Sequence, residues 1–203
     1  MLFLDPNKPI ATCVSESCDG CEVQDSLQCH FKLKDLTHFL LSVLPSFLLG
    51  GWGIYNLAPW LLAPWILAIV GYFGFLEIRV MCSHCPHYAE PGKSLKCWAN
   101  YGSPKIWRYR PGPMSLIEKT FFWAGFVVVW GFPFVCLVLG TDWFLLFVYA
   151  VSTAAFSTTV KMFLCSHCMN FACPLNTVDS DVRQVFFKRN PSVAAEWDTD
   201  VKD

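Results

Sequence analysis

Four stretches of this 203-residue chain carry almost no charge: Leu36 to Ile54, Trp60 to Leu76, Phe121 to Leu139 and Trp143 to Leu164. Each is close to the ~20 residues that take an α-helix across a ~30 Å hydrocarbon core. They therefore predict four transmembrane helices. Composition agrees, since 15% of residues are charged against roughly 25% in an ordinary soluble domain. The first run lies behind a polar, cysteine-bearing segment, which excludes a cleaved signal peptide as its explanation.

Basic residues set the expected orientation. The turn at 51–59 and the turn at 140–142 contain no Lys or Arg, so all 15 fall on the opposite side or at its edge. By the positive-inside rule that side is cytoplasmic. Both termini and the loop between the second and third helices then face the cytoplasm, in a multi-pass protein of the cell's inner (plasma) membrane. Ten of the 11 cysteines share that face, and Cys136 alone sits within a helix. Cytoplasmic thiols are kept reduced, so metal binding is expected in place of a disulfide framework. Cys136, alone in an apolar run, is expected to pack as a small hydrophobe.

Two of the apolar runs end in nearly the same words, CSHCPHYAEP at 82–91 and CSHCMNFACP at 165–174, identical at six of ten positions. Hairpin then motif, twice, reads as an internal duplication. The expected fold is an all-α integral membrane protein whose four transmembrane helices form two parallel-repeated helical hairpins, each followed by a cytoplasmic CSHC motif. The parts are a Cys-rich N-terminal segment (1–35), a first hairpin (36–81), a Cys-containing loop (82–115), a second hairpin (116–164) and a Cys-containing tail (165–203). Ser115 and Glu118 have the spacing of a helix capping box. In the tail, Thr177 or Asp179 is placed to cap a short helix carrying Val182, Val185 and Phe186, which ends at Asn190-Pro191. That helix is expected to pack on the cysteine-rich face.

Three cysteine groups are candidate metal ligands: Cys13, Cys18, Cys21 and Cys29; Cys82, Cys85 and Cys97 with His84; and Cys165, Cys168 and Cys173 with His167. A C-x-x-C pair brings two thiolates onto one tight turn, the spacing of both zinc and iron–sulfur sites. Zinc would rigidify loops too short to build their own core. An iron–sulfur cluster would need a fourth ligand for each three-cysteine unit. His84 and His167, between paired ligands, either ligate or turn away to act through hydrogen bonds. His87, matched by Asn170 in the second motif, is a weaker candidate. Glu90 aligns with Cys173, and Cys97 is expected to replace it as third ligand.

Other chemistries find little support. His38 is the one histidine near a helix, so paired axial haem ligands are missing, as are a phosphate-binding Gly-rich loop and an H-E-x-x-H motif. Glu77 and Arg79 are expected to pair or snorkel at the foot of the second helix. The KIWRYRPGP stretch (105–113) suits a membrane interface, and a net charge of −1 with no recognisable module argues against nucleic acid. The function expected is a small membrane protein anchoring a cytoplasmic zinc or iron–sulfur module, as a subunit or accessory of a redox or metal-handling complex. Its partners would be the lipid bilayer, a protein on the cytoplasmic face and, if it is redox-active, a quinone. The alternatives are a soft-metal or metalloid carrier using the CSHC thiolates, or a membrane enzyme with a reactive Cys or an open metal site.

Overall fold

The computed structural model describes residues 7–197. Among them 62% are helical and none lies in a strand. Four helical spans, Leu33–Leu57, Pro59–His84, Leu116–Leu139 and Trp143–His167, are long and apolar enough to cross a membrane. The first is a single helix, α1 (Leu33–Leu57). The second begins at Pro59, a residue whose fixed φ and missing N–H suit a helix's first turn. It runs as α2 (Leu62–Gly71), a π-helical turn (Tyr72–Leu76) and α3 (Glu77–Val80). The third, α4 (Leu116–Leu139), opens on the Ser115–Glu118 capping box that the spacing predicts. The fourth, α5 (Trp143–Thr159), is capped by the Asp142 carboxylate, which accepts from the Leu145 N–H at 3.0 Å. It continues into a second π turn, Val160–Leu164.

The outside of the bundle is apolar and exposed, with Leu67 at 71% and Phe144 at 79%. This is the surface lipid would cover. Inside, α1 packs on α4 and α5, and α2 packs on α4. Two glycines allow the closest approaches. A Cβ at Gly53 would lie 2.3 Å from Leu137, and one at Gly125 would lie 2.1 Å from Tyr72. Small residues let membrane helices approach in this way, because dispersion, not water exclusion, holds them together. Polar side chains within the bundle find carbonyls: Trp65 Nε1 donates to Val129 O at 2.9 Å, Tyr72 Oη to Phe122 O at 3.0 Å and Tyr149 Oη to Trp130 O at 2.7 Å. Cys136 packs beside Ile54 and Trp65.

Beneath the bundle, α6 (Ser180–Arg189) is capped by Asp179 and followed at Asn190 by α7 (Pro191–Ala194). Phe186 and Phe187 of α6 share a core with Val23, Leu27 and Phe171, and Cys13, Cys21 and Cys29 pack against it. The tail helix thus lies against the N-terminal cysteine segment. The N-terminal segment is also tied down by hydrogen bonds from the Val14 N–H to Arg189 O and from Thr12 Oγ1 to Asn190 Oδ1. Glu90, also buried, accepts from the Ala11 N–H at 2.7 Å and links the same segment to the middle loop.

Candidate metal centre

Each span that ends in a CSHC motif tightens into a 3-10 turn at its foot, Cys82–His84 and Cys165–His167. In both turns the serine hydroxyl bonds back four residues: Ser83 Oγ donates to Arg79 O at 2.7 Å and Ser166 Oγ to Met162 O at 2.6 Å. A serine bonded back in this way occupies the last orphan carbonyls of the span. The turns then aim their cysteines inward. Cys82, Cys85, Cys97, Cys165, Cys168 and Cys173 all line one cavity of about 230 Å³ at the base of the bundle. The six come from both motifs and from the loop between them.

Three of these six sulfurs already accept hydrogen bonds. The Leu175 N–H donates to Cys173 at 3.4 Å, from two residues further on. Cys97 accepts from the Asn100 N–H at 3.2 Å. Cys82 accepts from Asn100 Nδ2 at 3.4 Å. Donors aimed at sulfur stabilise a thiolate and, once it is ligated, set the metal's potential. Without a cation the balance runs the other way. Burial, then the neighbouring thiols, raise the Cys85 and Cys173 pKa values, while burial pushes Cys97 up to about 12.

Among the described residues, four of the eight buried polar side-chain atoms without a hydrogen-bond partner border this cavity. Gln28 Oε1, His87 Nδ1, Trp130 Nε1 and Asn170 Oδ1 all belong to residues that line it. Each such atom, left unpaired, costs about 1–3 kcal/mol. Towards the membrane the cavity is walled by Phe39, Phe73, Phe122, Phe126 and Phe156, with Glu77 at the boundary.

Not every candidate ligand reaches the chamber. His84 turns away: its Nδ1 lies 3.1 Å from Gly112 O, and its Nε2 lies 3.1 Å from Arg110 Nη2 and 3.5 Å from Glu118 Oε2. His167 also lies off the cavity, with Nδ1 placed 2.9 Å from Ser166 Oγ and 3.2 Å from Phe163 O. His87 lines the chamber, although its spacing makes it the weaker candidate in sequence. Its place after Cys85-Pro86, on the short Pro86–Tyr88 turn, is the local signal for it. Glu77 does not pair with Arg79. Arg79 bonds Glu118 at 3.3 Å, while Glu77 is buried beside Asn100 Nδ2 at 3.5 Å.

The N-terminal thiols form a separate group. The Cys21 N–H bonds Cys18 O at 3.1 Å, closing the C-x-x-C turn. Burial, then Cys21, Cys18 and Cys13, push Cys29 up to about 12, so the four thiols lie within electrostatic reach of one another. All 11 cysteines are free. Among the described residues no three His, Cys, Asp or Glu side chains converge tightly enough to hold a single ion. Compared with known families, curated proteins and solved structures, the chain matches none.

Proposed function

We propose that this protein is a membrane-anchored electron-transfer subunit whose six-thiol chamber holds an iron–sulfur centre. The observation that carries this reading is the chamber itself: six cysteines, from both motifs and the loop between them, face one cavity, three with N–H donors set on their sulfurs. A lone tetrahedral zinc draws its sulfurs to within ~2.3 Å of a point. Iron–sulfur clusters spread their thiolates over several irons, which suits donors distributed around about 230 Å³.

The duplication supports a single shared centre. The sequence distance from Cys82 to Cys165 also separates Leu33 from Leu116, Trp60 from Trp143 and His84 from His167, residues that open or close the spans to within one position. The same stride pairs chamber residues with one another: Phe39 with Phe122, Phe73 with Phe156, Cys85 with Cys168 and His87 with Asn170. Two parallel hairpins related by an axis along the membrane normal would put their equivalent residues around one point. In this reading the chamber lies on that axis.

Its other end is walled by phenylalanines, and the acceptor in this reading is a lipid-soluble quinone in the bilayer beside that wall. A reduced soluble one-electron carrier docks on the cytoplasmic face and reduces the centre. Two successive electrons, with two protons from cytoplasmic water, convert the quinone to its hydroquinone. The N-terminal set of Cys13, Cys18, Cys21 and Cys29 is a second metal site on the side of that docking partner. Both termini face the cytoplasm, across the inner membrane.

Elemental analysis with visible and electron paramagnetic resonance spectra of anaerobically purified protein tests the reading. Iron and acid-labile sulfide, with a brown colour bleached by dithionite and restored by a water-soluble quinone, are the expected result. Stoichiometric zinc without iron would overturn it.

A further inference from the structure

We infer that His87 ligates the chamber centre through Nδ1, giving it mixed sulfur and nitrogen coordination; this rests on reading the chamber as a metal centre. His87 is 4% exposed and lines the cavity, and its Nδ1 has no hydrogen-bond partner. An imidazole nitrogen without a partner in a buried, thiol-lined space is placed to bind a metal held there. Iron accepts imidazole readily beside thiolates. His87 follows two residues after Cys85, itself a chamber thiol. Pro86 precedes it with a fixed φ, so the ring departs from a defined turn. The other two histidines of the motifs meet carbonyl, hydroxyl or charged partners away from the chamber.

The duplication sharpens the argument. Asn170 stands at the matching position of the second motif, and its Oδ1 is likewise buried and without a partner. Both repeats therefore present a polar side-chain atom at the same place. Only the first presents one that binds a soft or borderline metal well, an amide oxygen being a ligand for harder ions. The centre is thus electronically lopsided. Replacing a thiolate by a neutral imidazole removes a negative charge from the ligand set and raises the reduction potential, as His ligands do in two-iron clusters. A raised potential keeps the centre between a low-potential soluble donor and a quinone.

The test uses the full-length protein in detergent, grown with ¹⁵N-histidine and reduced for pulsed electron paramagnetic resonance. A ¹⁵N coupling of directly bound strength is expected in the parent protein and in His84→Ala, His167→Ala and Asn170→Ala. It should vanish in His87→Ala. To separate loss of the nitrogen from loss of the iron, His87→Cys is examined beside it: iron is retained, the nitrogen coupling is lost and the midpoint potential falls. Iron and sulfide present without any ¹⁵N coupling in the parent would overturn the assignment of His87 while leaving the metal-centre reading intact. An unchanged potential and coupling in His87→Cys would do the same. A parent protein with neither iron nor sulfide would overturn both.

Discussion

The two CSHC turns begin alike and end in different surroundings. Both close as one 3-10 turn at the foot of a span, and both hold their serine on the carbonyl four residues back. Yet Ser83, His84, His87 and Tyr88 of the first are all buried, whereas Ser166 and His167 of the second are only partly so. The difference is supplied by the loop that follows. After the first motif the chain wraps back: the Arg110 N–H bonds Ser83 O at 2.8 Å, Tyr88 Oη accepts from the Trp107 N–H, and Arg110 meets Glu118 at 2.7 Å. After the second motif the chain leaves for α6. Local sequence dictates the turn, and the long-range cover dictates what its histidine can do.

Five substitutions would break or sharpen this contrast. With the chamber read as the proposed iron–sulfur centre, the largest effect is expected from Cys85→Ser and Cys168→Ser, each of which should remove all of its iron, not half, because both thiols face one cavity. Iron analysis after correction for the proposed N-terminal site decides it; half occupancy in either variant would mean two independent centres. Next comes Glu118→Gln, which strips Arg79, Arg110 and His84 of their shared carboxylate. A hydrogen bond to a charged group is worth about 1.5–3 kcal/mol. Denaturation in detergent should show a loss of that size, with opening first seen as proteolysis of the 89–115 loop. The smallest effects separate the paired histidines. His84→Ala should cost about 1 kcal/mol, since it leaves Gly112 O without its partner. His167→Ala should stay within about 0.5 kcal/mol, as partly exposed sites do. Equal losses in the same unfolding assay would erase the contrast between the motifs.

Much of this architecture was legible because it is local. Charge-free runs of spanning length mark the four spans, and the Ser115–Glu118 box and the Asp179 cap lie within three residues of the groups they bind. The repeated motif marks its own turns. What could not be read is long-range. Nothing in the spacing says that Cys97 reaches the same cavity as Cys165, or that Arg79 prefers Glu118 to its near neighbour Glu77. His84 is drawn off the thiols by partners 26 and 28 residues away, Arg110 and Gly112. His87 is passed over because its counterpart is Asn170, a mismatch that looks like drift until both side chains are seen on one chamber.

The π turns at Tyr72–Leu76 and Val160–Leu164 give these two spans a kind of slack. A π turn is an α-helix that has absorbed one surplus residue, with the helix beyond it resuming its former phase. One residue deleted inside either turn would be taken out of that slack, leaving the thiols downstream still facing the chamber. The same deletion a few residues earlier, within α2 or α5, would have no slack to draw on. It would swing everything below it by about 100° and draw it up by about 1.5 Å, turning Cys82 and Cys85, or Cys165 and Cys168, away from the chamber. Two spans of similar composition are thus divided into stretches that tolerate editing and stretches that do not, and the tolerant ones sit just above the thiols.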